Sequence, residues 1–499
     1  MRYDQAGRAE HIFLRILGGL TGLSILLLLW QIFFPQPIYL PGITFDRISA
    51  VITLLVAGVG TVTYRFALRY LDGEPGQRRF LHWLAFTVAV AYLLMPASNL
   101  LLLFVSWLCT SIGLHQLLTF YRERSEAYPP ARKKFLISRF GDVSLISAIA
   151  LIWWEWGTLD LNVFLENFNS PGTSFLAPEA VAILVVTAAL TKSAQFPFHS
   201  WLPETMEAPT PVSALMHAGI INAGGVLLLH FAQLLVTVPI ALLMLTLAGT
   251  ITAVLGMLAM WAQTNVKRTL AWSTVSQMGF MMIQFGLAAF PAAILHLVGH
   301  GCYKAWSFLR TGDLPKQAPA TPVPPARAML IGLFGTVLAV PALFLSAAIT
   351  GFDPFHSPGE LALSTIVALS IGQIWIAFFR TPGDLSRTLT RSLTAILTTF
   401  VFGLLVFELY HLATIFFAPT LGGIEVATGP LAWIAAVLPV IAFISLATIY
   451  VLLPAIGRTA FGRAFYVHAL HGFYFGAIAD RLVERIWNSF AVEGGVEHA

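Results

Sequence analysis

Residues able to carry chemistry gather first in the segment from 191 to 225 of a very apolar chain. Lys192 and His217 stand there together with four prolines, at positions 197, 203, 209 and 211. A lysine at the centre of a bilayer costs about 3 kcal/mol on insertion scales, and lipid cannot satisfy the backbone groups that a proline leaves unpaired. The segment must therefore lie among other helices or along a wet cavity, and its lysine and histidine indicate a path for ions.

A second group, His296, His300 and Lys304, is spaced at i, i+4 and i+8. At about 3.6 residues per turn, these three side chains share one face of a helix. Imidazole titrates near neutral pH, so the stripe predicts a relay for protons. The alternative is a zinc site at the two histidines, although no third ligand stands nearby and zinc sites take at least about three protein ligands.

Three further ionisable residues extend the candidate path to other helices. Lys267 either belongs to a relay or marks the polar end of its helix. Asp142 stands three residues after Arg139, a spacing at which the two side chains pair on a helix, and it is the nearest carboxylate for a buried cation. Glu408 lies inside a late apolar run, where it is expected to face His411 or a packing partner.

The composition indicates a polytopic membrane protein. Of the 499 residues, 57% are hydrophobic and only 10% are charged, whereas soluble domains carry about 25% charged residues. The cysteines are Cys109 and Cys302, each expected to be a buried thiol, and an iron–sulfur cluster needs about four. Nucleotide-binding glycine motifs are missing from the sequence. The sequence thus predicts no cofactor or metal in this chain, and no nucleic acid as a partner.

Apolar runs long enough to cross a bilayer, about 20 residues each, recur about fourteen times. They predict an all-α membrane helix bundle in which one helix is broken by proline. The predicted spans are 14–34, 43–66, 80–96, 98–120, 135–156, 178–195, 211–234, 236–262, 270–289, 291–309, 328–350, 362–379, 389–416 and 430–453.

Basic residues lie at the N-terminus, in the loops after even-numbered spans and in the tail, whereas the other loops carry mainly acidic residues. Lys133 and Lys134 count among these loop charges, after span four. The positive-inside rule then predicts that both termini are cytoplasmic. The expected location, which goes with the family resemblance given below, is the bacterial inner membrane.

A Pro-rich polar segment, 311–327, predicts a cytoplasmic linker between a front bundle of ten spans (1–310) and a back bundle of four (328–453). The tail, 454–499, alternates aromatic and basic residues. It is expected to form either an interfacial amphipathic helix or a docking segment for a partner.

Three ordered motifs carry a family resemblance: TKSAQFPFHSWLPETMEAPTPVSALMHAG, NVKRTLAWSTVSQMG and HLVGHGCYKAWSFL. Over about 80–310 the chain resembles the antiporter-like membrane subunits of respiratory complex I, above all chain L, and of multisubunit sodium/proton antiporters. The resemblance implies the fold of those subunits. It also implies a role in proton transfer for the matching residues, which are Lys192, His217, Lys267, His296, His300 and Lys304.

The chain departs from the family pattern at two places. The family has a glutamate directly after the tryptophan of its fourth-span motif, where this chain has Leu108 after Trp107. The family also has a lysine in a later motif, and the matching run from 351 to 356 contains none. These losses favour a subunit that conducts protons downhill for another task over one with an ordinary pumping cycle.

The stretch from Leu114 to Leu145, together with the missing glutamate, resembles the DabB family, the membrane subunits of two-protein inorganic carbon accumulation systems. That resemblance implies a DabA-like partner on the cytoplasmic side, with a carbonic-anhydrase-like zinc site, and protons or sodium ions as the driving cation. Any hydration of CO2 would then reside in the partner, so this chain is not expected to be an enzyme. The alternatives are a subunit of a quinone oxidoreductase-like or Mrp-type antiporter complex, and a stand-alone transporter for a small solute.

Overall fold

The computed structural model describes residues 7–170, 174, 176–313, 324–379, 385–421, 424 and 428–493. Its helices confirm the predicted all-α membrane bundle, with one addition that the sequence analysis did not predict. A short antiparallel hairpin joins Ile38–Leu40 (β1) to Ile43–Phe45 (β2). Gly42 makes the turn at φ 75°, a conformation that glycine adopts without a steric penalty.

The front of the chain forms fourteen helices. They are α1 (Arg8–Phe33), α2 (Arg47–Tyr70), α3 (Gln77–Leu94), α4 (Leu100–Leu118), α5 (Tyr128–Trp156), α6 (Leu161–Asn167), α7 (Ala177–Lys192), α8 (Trp201–Glu204), α9 (Thr210–Ala218), α10 (Ala223–His230), α11 (Ala232–Val236), α12 (Pro239–Ala262), α13 (Val266–Gly286) and α14 (Phe290–Leu309). The back of the chain adds α15 (Pro325–Thr350), α16 (Pro358–Phe378), α17 (Leu385–Leu421), α18 (Pro430–Ile456), α19 (Ala460–Leu470) and α20 (Phe475–Glu493).

Ten helical segments of the described chain are long and apolar enough to cross a membrane. The other four predicted spans correspond to α3, α7, α13 and α14, which agrees with the prediction of about fourteen. Large apolar side chains are exposed on the outside, such as Phe33 at 74% and Leu330 at 69%. A soluble protein would bury such a surface, and here it faces the lipid.

The predicted Pro-broken helix is also confirmed. α7 stops at Lys192, and the chain then runs irregularly through α8 to α9, whose first turn contains Pro211. Proline suits this position because its missing N–H is one that the first helical turn leaves unpaired. A short 3-10 turn at Ile220–Asn222 separates α9 from α10. Irregular backbone at membrane depth is tolerated only inside protein or along a wet cavity.

Close contact between α12 and α13 fixes the position of α13. A Cβ atom on Gly279 would lie 2.5 Å from the backbone nitrogen of Ala253, and one on Gly256 would lie 2.6 Å from that of Ser276. These distances are too short for any side chain, so the glycines let the two backbones touch, as small residues do between membrane helices. Asn265 caps α13 by accepting the backbone N–H of Arg268.

The long helix α17 joins the back of the chain to its front. One end packs beside α15 and α16, and the other reaches α2 and α14. There Arg47 of α2 donates to the carbonyl oxygen of Phe416 at 2.6 Å, and its guanidinium lies 4.9 Å from the centre of that ring. The division of the chain at 311–327 stays a prediction, and 314–323 lie outside the described residues.

The tail helices α19 and α20 fold back onto the front helices. Gln263 at the end of α12 donates to the carbonyl oxygen of Leu470 at 3.1 Å, and Lys133 of α5 forms an ion pair with Asp480 of α20 at 2.7 Å. We call this side of the bundle, where α5 and α13 begin and the tail lies, the basic face. Residues 494–499 of the predicted tail segment lie outside the described residues.

Candidate ion path

Lys192, the last residue of α7, is buried against α4. Its ammonium donates to the carbonyl oxygen of Trp107 at 3.1 Å, to Oγ1 of Thr110 at 2.8 Å and to Oγ of Ser111 at 2.9 Å. The same ammonium lies 4.4 Å from the centre of the Trp107 ring, a distance at which the aromatic face attracts a cation. All of these direct partners are neutral, so the site accommodates the lysine with or without its proton.

Asp142 lies behind the tryptophan. Nε1 of Trp107 donates to Oδ1 of Asp142 at 2.9 Å, and Nη2 of Arg139 lies 2.7 Å from Oδ2. The predicted pairing of Arg139 with Asp142 is therefore confirmed. Within the described residues Asp142 forms no ion pair with Lys192, and Trp107 contacts both. Leu108, at the place of the family glutamate, is half-buried.

The structure corrects the interpretation of Lys133 and Lys134 as loop charges. α5 begins at Tyr128, seven residues before the predicted start at 135, and encloses both lysines. Lys133 is 0% exposed and Lys134 is 4% exposed. The Lys133 ammonium lies 2.5 Å from Oε2 of Glu204 and 2.7 Å from Oδ1 of Asp480. Nζ of Lys134 donates to the backbone carbonyl of Ser111 at 2.7 Å. No signal in the sequence separates this arrangement from a solvated loop end.

His296, His300 and Lys304 share one face of α14, as predicted. The rings of His296 and His300 are 5.9 Å apart, and Nδ1 of His296 lies 2.8 Å from Oε1 of Gln284 on α13. Lys304 is almost fully buried. Its ammonium donates to the carbonyl oxygen of Leu270 at 2.9 Å and also to the Ser273 hydroxyl. This second lysine is thus also held by neutral oxygens.

His217 of α9 joins this stripe. Its ring stacks on Phe308, one turn beyond Lys304, with the ring centres 4.4 Å apart. His217 and Lys304 lie close enough to His300 to interact with it electrostatically. Among the described residues, no hydrogen-bond partner meets either ring nitrogen of His217 or of His300. Buried polar atoms are usually paired, so these imidazoles fit groups that take up and release protons.

The remaining two candidates lie apart from these groups. Lys267 is half-buried in the first turn of α13, one turn before Leu270. Glu408 is exposed on α17. The structure thus brings six of the eight candidates into two groups: the Lys192 group, which contains Lys192 and Asp142, and the His300 group, which contains His217, His296, His300 and Lys304.

Neither cysteine fits the expectation of a buried thiol. Cys109 is half-buried, and Cys302 is exposed on the outside of α14. Cys302 follows His300 by two residues, which on a helix places it on another side. In the part of the chain that the structure describes, no three histidine, cysteine or acidic side chains lie close enough to hold a metal ion.

The broken segment after Lys192 continues toward the basic face. His199 is buried there, and its ring lies 5.8 Å from that of Trp272 on α13 and 5.9 Å from that of Phe475 in the tail. Glu204 lies beside it, along a cavity of about 160 Å³. Burial raises the pKa of the Glu204 carboxyl, while the neighbouring Lys133 opposes that rise. His199 and Glu204 were not among the residues predicted to lie on the ion path.

Two family models match the chain. One describes the transmembrane part of NADH:quinone oxidoreductase and Mrp antiporter subunits and covers residues 97–322. The other describes the N-terminus of complex I chain 5 and covers residues 41–81. Together they include α4 to α14, and therefore every helix that carries the Lys192 group and the His300 group.

Curated relatives include the "Probable inorganic carbon transporter subunit DabB2" of Halothiobacillus neapolitanus. It is 36% identical over 89% of this chain and 80% of its own length. The "Probable inorganic carbon transporter subunit DabB" of Hydrogenovibrio crunogenus is 40% identical over 54% of this chain and 52% of its own length. Chain 5 of the NADH-ubiquinone oxidoreductase of Metridium senile is 32% identical over 72% of this chain and 60% of its own length.

Two solved structures share the fold. A chain of the Mrp complex from Dietzia sp. DQ12-45-1b is 25% identical, with a TM-score of 0.64 over 98% of this chain and 60% of that one. A chain of respiratory complex I from Thermus thermophilus is 23% identical, with a TM-score of 0.51 over 90% of this chain and 93% of that one. This chain therefore belongs to the antiporter-like membrane subunits of the complex I and Mrp family and, within it, to the DabB subunits.

Proposed function

We propose that this chain conducts cations, and specifically protons, to drive the accumulation of inorganic carbon by a complex with a second protein. One observation carries the proposal. Lys192 and Lys304 are both buried, and both are held by neutral oxygens of neighbouring helices. Neither ammonium touches a carboxylate among the described residues, so neither lysine leaves an uncompensated partner charge when it loses its proton.

The proposed orientation places the basic face in the cytoplasm of a bacterium, with the chain in the inner membrane. The partner is a DabA-like protein on that side, which would carry the zinc and the hydration of CO2 to bicarbonate. The names of the DabB relatives, which are described as inorganic carbon transporter subunits, support inorganic carbon as the transported substrate. As part of the same proposal, this chain catalyses no reaction and binds no cofactor.

The driving force is large enough for this task. One charge that moves through 100 mV releases about 2.3 kcal/mol, and about 1.4 kcal/mol corresponds to a tenfold change in an equilibrium. One proton per turnover therefore sustains a bicarbonate excess of roughly forty-fold.

The test is co-expression with the partner in a bacterium that lacks carbonic anhydrase and needs added CO2 to grow. Growth in ordinary air is expected for the wild type and for Arg458→Ala, which changes an exposed cation outside both groups. Lys192→Ala and Lys304→Ala are expected to abolish it. Membrane levels of each variant are measured alongside, and normal growth of both lysine variants would refute the proton path.

A second function has its own support, because a family model of Mrp antiporter subunits matches residues 97–322 and a chain of an Mrp complex shares the fold over 98% of this chain. A subunit of an Mrp-type complex would exchange sodium ions for protons. In vesicles with the complete complex, a sodium gradient would then drive proton movement in the absence of CO2. Our proposal expects no such exchange.

A further inference from the structure

Lys134 is a buried cation that the path so far does not use. It lies in α5 and is 4% exposed. Its ammonium donates to the backbone carbonyl of Ser111 at 2.7 Å, and no ion pair to it is found within the described residues. Its neighbour Lys133 has two carboxylates, Glu204 and Asp480. A buried ammonium is normally paired, so Lys134 is the exception that needs an explanation.

Lys134 and Lys192 meet at the same residue. The backbone carbonyl of Ser111 accepts a hydrogen bond from Nζ of Lys134 at 2.7 Å, and the Ser111 hydroxyl accepts one from Nζ of Lys192 at 2.9 Å. Two ammonium groups in so small a buried volume repel each other, because like charges at short range disfavour the charged form of each. The two lysines are therefore most stable when one of them is a charged ammonium and the other is a neutral amine.

The surrounding charges add to this imbalance. α5 contributes Arg139 and Asp142, and these two pair with each other at 2.7 Å. α4 contributes His115, whose Nδ1 is buried without a partner in the part of the chain that the structure describes. Among the described residues, Asp142 is thus the one carboxylate beside the cationic side chains of Lys134, Lys192 and Arg139, and Arg139 already pairs with one of its oxygens.

The geometry points to Lys134 as an access station of the proton path, which loads Lys192 from the basic face. This inference rests on the proposed function and names a further residue for it. In the transfer, an N–H bond breaks at Nζ of Lys134 and one forms at Nζ of Lys192, through the Ser111 hydroxyl or an intervening water. Lys134 then takes its next proton from the basic face, where α5 begins. The neighbour of Lys192 is thus a second lysine on α5, whereas the position of the family glutamate on α4 is occupied by Leu108.

Three variants of the complete complex in lipid vesicles test this inference through proton flux driven by a membrane potential. Arginine keeps the charge but does not release a proton near neutral pH. Lys134→Arg should therefore lower the flux by more than about tenfold, since a positioned proton-transfer group contributes about a hundredfold or more. Lys134→Met should do the same. Lys134→His should restore flux with a pH profile shifted toward the titration of imidazole.

The matched control is Arg132→Lys, an exposed cation two residues earlier on the same helix, which should conduct like the wild type. Wild-type flux in Lys134→Arg would overturn the inference, because the position would then need only a positive charge. An unshifted pH profile in Lys134→His would overturn it as well. A wild-type complex without any proton flux would instead refute the proposed function, so the two failures are distinguishable.

Discussion

At the scale of single residues, Trp107 connects the two charges of the Lys192 group. Its carbonyl oxygen accepts from Lys192, its ring faces the ammonium at 4.4 Å, and its indole N–H donates to Asp142. The side chain therefore holds a cation and a carboxylate close together without direct contact. Such a separation stabilises the charged lysine less than a salt bridge would, and so leaves its proton easier to release.

Substitution of Trp107 should separate the contribution of its hydrogen bond to Asp142 from that of its ring face to Lys192. Trp107→Phe removes the N–H but keeps an aromatic face, so we expect a loss of about 2 kcal/mol for one hydrogen bond to a carboxylate and partial proton flux. Trp107→Leu also removes the cation–π contact, worth about another 1–2 kcal/mol, and should reduce the flux further. Thermal unfolding in detergent and vesicle flux measure the two effects.

Trp154→Phe provides the control, because Trp154 lies on α5 and is 83% exposed to the lipid side. Its unfolding midpoint and flux should match the wild type. Equal behaviour of Trp107→Phe and Trp107→Leu would show that the ring face contributes nothing to Lys192.

At the scale of elements, the position of Lys304 depends on α13, and the position of α13 depends on its contact with α12. Leu270 and Ser273 of α13 supply the oxygens that hold the Lys304 ammonium. The glycines between α12 and α13 leave no room for a side chain. A small change at that contact is therefore transmitted to the His300 group.

The variant Gly279→Ala should move α13. Its Cβ atom would lie 2.5 Å from the nitrogen of Ala253 and 2.7 Å from the oxygen of Gly249, so the two backbones must separate. Overpacking of this kind costs about 1–3 kcal/mol, and we expect a lower unfolding midpoint together with reduced proton flux. Gly299→Ala on α14 is the control, since a Cβ atom there meets nothing within 4 Å. A midpoint for Gly279→Ala equal to that of the control would contradict the close contact.

Element positions were largely predictable, because lipid demands long apolar runs and the i, i+4, i+8 spacing fixes a helix face. The burial of Lys133 and Lys134 was not predictable. A count of loop charges cannot show that α5 begins at Tyr128 and is covered by residues more than three hundred positions later. The two oxygens of Ser111 likewise become a meeting point for two lysines only when α4, α5 and α7 are packed together.

At the scale of the whole molecule, the tail covers the broken segment that follows Lys192. Phe475 packs against Phe196 and His199, with ring centres 5.0 and 5.9 Å apart. Trp272 lies against Gly472, where a Cβ atom would be 2.6 Å from its ring. The tail therefore closes part of the basic face. Whether its outer side contacts the membrane or a partner stays a prediction.

Removal of residues 459–499 should expose the broken segment. Ser200, which is 4% exposed, provides a reporter site as Ser200→Cys in a background with Cys109→Ser and Cys302→Ser. A water-soluble thiol reagent should label it at least about tenfold faster without the tail, because labelling follows the open fraction of a protected site. Ser125→Cys, at an exposed position, should be labelled equally with and without the tail. Equal protection of Ser200→Cys in both proteins would show that the tail does not cover it.

The contact between Arg47 and Phe416 has a consequence for biogenesis. The two residues are 369 positions apart, and a chain is synthesised and inserted from its N-terminus onward. Arg47 therefore reaches the membrane long before Phe416 exists. Its Nε can already donate to the carbonyl oxygen of Gln31 in α1, but its Nη1 must stay in water or among headgroups until Phe416 arrives. We expect α2 to settle into its final place late, so an interrupted or truncated nascent chain would expose an arginine that quality-control proteases can recognise.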